Sequence, residues 1–143
     1  MPSHARKESK PMSVDSLAER LPRLFSALTG SPFGERELRF EPLLSEGRVN
    51  AEVHRLYTVE QTGGPAAALV RYLPGAKAQP HRHTGYELIY VLSGELQTDE
   101  GTFPADSLLV MSPESVHGPR SEHGCLALAV WEQPVKPLSS AAE

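Results

Sequence analysis

From about residue 37 the chain is written in short apolar runs cut by turn-forming residues. The runs are "ELRFEPL", "RVNAEVHRLYTVE", "AAALVRYL", "ELIYVL", "GELQTD", "SLLVM" and "CLALAVWE". The breaks between them are "QTGGP", "LPGA", "LSG", "DEG", "FPAD" and "SPES". Several short strands at this spacing predict an all-β sandwich or barrel. Before them the pattern has a helical period. Ser16 and Glu19 are spaced as a capping box, and Leu17, Leu21, Leu24, Phe25 and Leu28 form one apolar stripe. This predicts a short helical segment over residues 15–30, ended by Gly30 and Pro32, with a kink or late start at Pro22. Residues 1–14 are polar and proline-containing and read as a disordered tail. Residues 31–143 read as one domain, which suits a chain of 143 residues.

Composition removes several classes of function. The net charge of -4 gives no basic face for phosphates, so nucleic acid is not expected as a partner. No apolar run approaches the roughly 20 residues that cross a bilayer, and the start carries no signal-like segment, so a cytoplasmic location and no membrane partner are expected. Cys125 is the single cysteine. It allows neither an intrachain disulfide nor a thiolate zinc finger, and its apolar neighbours suit a small buried hydrophobe.

The chemistry concentrates in "PHRHTGYE", residues 80–87. Side chains alternate faces along a strand. If residues 81–91 are mostly extended, His81, His83, Glu87, Ile89 and Val91 share a face. Ile89 and Val91 belong in a core, so two imidazoles and a carboxylate go inside with them. Gly85 leaves space between them, and Arg82 falls on the opposite face. A buried carboxylate costs several kcal/mol unless it is paired. A bound cation is the simplest partner, and imidazole with carboxylate suits a divalent transition metal such as Zn, Fe, Mn or Ni. A fourth ligand is expected from elsewhere. His117, after "SLLVM" and a turn, is the first candidate and His123 the second. His54 reads as an ordinary strand histidine, and His4 lies in the tail.

The wider spacing is Gly75, five residues, His81-x-His83, three residues, Glu87, six residues, Gly94. It resembles the first sequence motif of the cupins. Residues 66–134 are similar to the cupin domain of ChrR-type anti-sigma factors and their stand-alone relatives. The resemblance implies a small antiparallel β-barrel, or jelly roll, holding one metal through His81, His83, Glu87 and His117. It also implies that Gly75 and Gly94 are turns bracketing the first motif. The second motif departs from the family pattern: Ala105-Asp106 replaces Gly-Asp, Ser112-Pro113-Glu114 replaces Pro-x-Gly, and Ser121 stands where Asn is usual. Gln79, Tyr86 and Glu114 are candidates for groups around the metal or its pocket. The short N-terminal segment and the lone Cys125 do not match the zinc-binding helical domain through which ChrR grips a sigma factor. Two functions follow: a small-molecule-binding or sensing module, and a metal-dependent dioxygenase acting on a small oxygenated substrate. The ligand is expected to be anionic or hydroxylated, in a mostly apolar cavity, and the protein to form a homodimer.

Overall fold

The computed structural model describes residues 38–134 together with the two-residue segments 25–26, 31–32 and 136–137. The tail expected at residues 1–14 lies outside them, as does most of the helix expected over 15–30. Where that stretch is described it is extended: β1 (Phe25–Ser26) pairs antiparallel with β2 (Ser31–Pro32). The remaining strands are β3 (Glu41–Pro42), β4 (Val49–Tyr57), β5 (Ala66–Lys77), β6 (His81–Arg82), β7 (Glu87–Thr98), β8 (Gly101–Pro104), β9 (Leu108–Met111), β10 (Val116–His117), β11 (Arg120–Ser121), β12 (Cys125–Trp131) and β13 (Lys136–Pro137). Every pairing among the described residues is antiparallel.

The main sheet runs β11-β7-β12-β5-β4-β3, with β8 and β9 also on β7 and a further pairing between β11 and β5. That last pairing closes the sheet on itself. The first part of β5 and of β7 flanks β12, whereas Lys77, Ala76 and Gln97 at their far ends pair with β11. Both long strands must therefore bend, and they do so at the two glycines read from the sequence as turns. Gly75 (φ 83°) and Gly94 (φ 74°) lie inside β5 and β7 in the left-handed region, where a side chain would be strained. The expected breaks at "LPGA" and "LSG" are thus bends within continuous strands. The run "RVNAEVHRLYTVE" ends as a strand at Tyr57. Its last residues start a one-turn helix, α1 (Val59–Thr62), where the Thr58 N–H donates to the Gln61 side chain at 3.0 Å.

Alternation decides what faces inward. Val53, Val70, Tyr72, Ile89, Val91, Leu96, Leu109, Met111 and Ala127 fill the barrel interior. On the outer face, Leu69 and Leu126 are buried beneath Leu38, Phe40, Leu92 and Leu128. This second cover explains why residues 67–70 read as an unbroken apolar run, since both faces of β5 are shielded there. Each such leucine contributes about 1.5–3 kcal/mol by leaving water. Arg71 holds the covering segment from its edge, paired with Glu52 and lying 4.1 Å over the Phe40 ring. A separate three-stranded sheet, β10-β6-β13, stands at one end of the barrel. No helix among the described residues is long and apolar enough to cross a membrane.

Candidate metal centre

His81 and His117 are direct cross-strand partners on β6 and β10, with ring centroids 4.6 Å apart. His83 follows β6 in a loop clamped by main-chain bonds. Its N–H donates to the Ser115 carbonyl at 2.9 Å, and its carbonyl accepts from the Glu114 N–H at 2.8 Å. Glu87 opens β7 on the main sheet. The four side chains are 1–7% exposed, and one ligand atom from each lies within 4.8 Å of all the others. The face-sharing expected of His81, His83, Glu87, Ile89 and Val91 is present: all five are buried, while Arg82 points to solvent.

The tautomers follow from the hydrogen bonds. The Nδ1 of His81 lies 3.1 Å from the Gln79 carbonyl, and the Nδ1 of His83 lies 3.2 Å from the Ser115 carbonyl. A carbonyl can only accept, so each Nδ1 carries a proton, and each ring when neutral presents its Nε2 lone pair inward. Those nitrogens face a third imidazole and a carboxylate. His81 Nε2 is 2.9 Å from His117 Nε2, and His83 Nε2 is 2.5 Å from Glu87 Oε2. A cation between them satisfies all four atoms together, and carbonyl-tethered imidazoles are the usual support of metal-binding histidines. His117 lacks that tether. Its Nδ1 is buried with no hydrogen-bond partner among the described residues.

Burial and charge set the protonation. Burial lowers the His81 pKa, with the neighbouring positive charge of Arg48 acting the same way against the Gln79 hydrogen bond. Burial pushes His117 down to about 3, assisted by His81, His83 and Arg48. Burial also acts to lower His83, but the hydrogen bond and charge of Glu87 outweigh it and raise its pKa. Two of the three imidazoles are thus neutral and ready to donate, and the third, His83, takes up a second proton on the Nε2 facing Glu87 more readily than a free imidazole does.

A cavity of about 30 Å³ opens beside the cluster. His81, Glu87 and His117 line it with apolar Val70, Ile89, Leu96, Ala127 and Ala129, and also with Arg48, Tyr72 and Trp131. These last three were not singled out from the sequence. They come from the residue just before β4, from β5 and from the end of β12, and no spacing links them.

The three groups expected around the pocket are placed differently. Gln79 reaches the site through its main-chain carbonyl, and its side chain is exposed against Gly47. Tyr86 is 52% exposed, because it alternates outward from Glu87. Glu114 sits in a turn at φ 72° with its side chain in solvent, 3.8 Å from Arg82. His123 stands beside Glu122, 3.8 Å away, and His54 bonds the Arg39 carbonyl at 3.2 Å, so neither joins the cluster. Ser121, at the position where Asn is usual, is fully buried and donates to the Glu95 carbonyl at 2.6 Å. Cys125 is buried, and its burial raises the thiol to about 12.

Known proteins agree with this geometry at the level of fold and family. The chain is 36% identical over 78 residues to the anti-sigma-E factor ChrR of Cereibacter sphaeroides, covering 52% of this chain and 37% of that protein. It therefore spans little more than a third of that relative's length. The Rhodobacter sphaeroides structure of SigE in complex with the anti-sigma ChrR matches 87% of this chain and 70% of its own, at 26% identity and a TM-score of 0.59. Two further structures share the fold. An acetylacetone dioxygenase from Acinetobacter johnsonii covers 98% of this chain and 86% of its own, at 14% identity and TM-score 0.64. The polyketide cyclase RemF from Streptomyces resistomycificus covers 73% and 82%, at 18% identity and TM-score 0.62. The ChrR cupin-like domain family matches residues 36–135, most of the chain including all four clustered side chains, and this protein belongs to it.

Proposed function

We propose that the protein is a metal-dependent small-molecule-binding module of sensing type, with one divalent transition metal held by His81, His83, Glu87 and His117. The observation that carries this is the set of inward-facing ligand atoms. Two buried imidazoles have their protons fixed on main-chain carbonyls, and their Nε2 atoms face a third imidazole and a carboxylate at 2.9 and 2.5 Å. Without a cation a proton can hold each close pair; with one the same four atoms are ligands. A bound metal supplies Lewis acidity to an oxygen of a small ligand. The chain supplies the rest: a narrow cavity, apolar walls and oriented ligands. The kinship with ChrR, named as an anti-sigma factor, supports a role in which the ligand state is read by a protein partner.

The fold shared with an acetylacetone dioxygenase supports a second reading, oxygen chemistry at the same centre, because four protein ligands on an octahedral metal leave two positions open. Elemental analysis of the purified protein tests the metal. One equivalent per chain in wild type and loss of most of it in His81→Ala/His83→Ala is expected; equal contents refute the site. Iron(II)-loaded protein is then followed for oxygen uptake over hydroxylated aromatics, diketones and small carboxylic acids. Binding without uptake supports the sensing module, and uptake that needs both iron and substrate supports the dioxygenase.

A further inference from the structure

His117 differs from the other two imidazoles of the cluster in what stands beside its Nδ1. The Nδ1 atoms of His81 and His83 lie 3.1 and 3.2 Å from the carbonyls of Gln79 and Ser115, which fix a proton on each. The Nδ1 of His117 is buried and meets no hydrogen-bond partner among the described residues. The proton of this ring is therefore not fixed by a carbonyl.

The contact with His81 places it in the metal-free state. The two Nε2 atoms are 2.9 Å apart. Burial favours the neutral form of both rings. His81 already carries its proton at Nδ1, so the hydrogen bond between the two Nε2 atoms takes its proton from His117. That leaves a lone pair on the His117 Nδ1. As a metal ligand the ring is reversed: Nε2 offers its lone pair and Nδ1 carries the proton. The ring stays neutral and changes tautomer.

A group beside Nδ1 must then donate a hydrogen bond in one state and accept one in the other. A carbonyl or a carboxylate only accepts; a hydroxyl or a water does both. The fold provides such a place. His117 lines a second cavity of about 30 Å³, which shares no other lining residue with the cavity beside the cluster. That volume takes roughly two water molecules. Thr98 and Ser115 line it too, with Asp99 and Glu100, whose side chains are exposed. The Ser115 hydroxyl donates to the Ser112 carbonyl at 2.6 Å. Thr98 ends β7 and is 3% exposed. Its hydroxyl oxygen accepts the Glu100 N–H at 3.1 Å and keeps an O–H and a second lone pair for other partners.

We infer that His117 is the ligand that changes tautomer on metal loading, and that the Thr98 hydroxyl, acting through water in this second cavity, is its positioning residue. Thr98 donates towards Nδ1 in the metal-free protein and accepts from it, through the same water, in the loaded one. The inference rests on the metal reading above and adds to it a proton relocation within one ring and the group that supports it.

The test is NMR of the full chain with its imidazole nitrogens labelled with nitrogen-15, without and with zinc. In wild type the His117 Nδ1 should give the signal of an unprotonated nitrogen without zinc and of a protonated one with it. The Nδ1 atoms of His81 and His83 should stay protonated throughout. Thr98→Val keeps the side-chain volume and removes the hydroxyl. It should weaken zinc binding about 10- to 100-fold in competition with a chelator, the range for groups that support a metal ligand. Thr98→Ser should restore most of that loss. A His117 Nδ1 already protonated without zinc overturns the switch. So does a zinc-induced change at His81 and His83 that leaves His117 unmoved. Zinc that shifts none of the three rings overturns the metal reading itself, and the switch with it. Unchanged zinc affinity in Thr98→Val, with a lower melting temperature in both states, reduces Thr98 to its turn with Glu100 and overturns its positioning role. If Thr98→Val does not fold, which circular dichroism shows, Thr98→Ala takes its place with the same expected loss.

Discussion

Replacing Glu87 by Gln keeps the volume of the side chain and removes its charge, so it separates packing from coordination. Glu87 is 4% exposed, and its Oε2 meets His83 Nε2 at 2.5 Å. In the metal-free protein a glutamine amide can donate to the same imidazole nitrogen, and a buried charge disappears. The metal-free variant should therefore match wild type within about 1 kcal/mol. The metal-loaded state behaves differently. Free metal at 1,000 times the dissociation constant stabilises the fold by about 4.1 kcal/mol. For a domain of about 100 residues that is a rise in melting temperature of roughly 15–30 °C. Loss of even an outer partner of a metal ligand costs about 10- to 100-fold in affinity, and loss of the charged ligand itself at least the upper figure. At 100-fold weaker binding and the same metal, the stabilisation falls to about 1.4 kcal/mol, or roughly 6–11 °C. Thermal melts of both proteins with and without zinc read all four quantities. An equal zinc-induced shift in Glu87→Gln and wild type would falsify Glu87 as a ligand.

Further outcomes are expected. Metal affinity should fall with acid, with a slope near one proton. His83, raised above its usual 6.5, takes up a proton first, whereas His81 and His117 are held low and stay neutral. A ligand must be deprotonated, so the loss begins as pH drops through the raised His83 value and runs about tenfold per pH unit below it. A slope of three between pH 7 and 5 would show three independent imidazoles instead. Ser115→Ala removes a hydroxyl 3.0 Å from His83 Nδ1 but leaves the carbonyl, so metal affinity should change less than about tenfold; a larger drop by competition with a zinc chelator would assign the tether to the hydroxyl. Gly75→Ala meets only the Asn50 side chain at 3.9 Å, so its cost is backbone strain alone, about 1–2 kcal/mol by denaturant melts. Cys125, buried with its thiol at about 12, should resist Ellman's reagent at pH 8 until the protein is unfolded, and prompt native labelling would contradict that burial.

Three of the four clustered residues were legible because they share one short segment. Alternation along a strand is a local rule, and it placed His81, His83 and Glu87 on the core side without knowledge of the partners. His117 was legible as the first candidate for a fourth ligand, ahead of His123, from its place after a strand and turn, and the family resemblance pointed to it as well; its position opposite His81 is a matter of sheet register. Arg48, Tyr72 and Trp131 were beyond either route. Tyr72 sits in an apolar run and reads as core, Arg48 sits beside a turn and reads as surface, and the three converge only when the sheet closes. The expectation of Gln79, Tyr86 and Glu114 around the pocket followed nearness in sequence, and nearness in sequence does not aim a side chain. Tyr86 could have been placed correctly, because the parity that buries Glu87 turns its neighbour outward. Gly75 and Gly94 were read as ends of strands, since a positive φ looks the same from sequence at a turn and at a bend. The runs and their spacing gave an all-β sandwich or barrel, and the resemblance to the cupins narrowed that to a small antiparallel barrel.

The thin sheet that carries two of the proposed ligands sets how fast a bound ion could leave. His81 and His117 ride on strands of two residues each, in the group β10-β6-β13, whereas Glu87 begins a twelve-residue strand flanked on both sides. Such short strands open locally at far lower free energy than the body of the barrel. An ion tightly held at equilibrium would therefore escape at the breathing frequency of this small sheet, with no need for the barrel to unfold. Tight binding and quick turnover of the ion then coexist, and ion exchange should keep pace with hydrogen exchange at the His83 amide, whose bond to Ser115 breaks in the same opening.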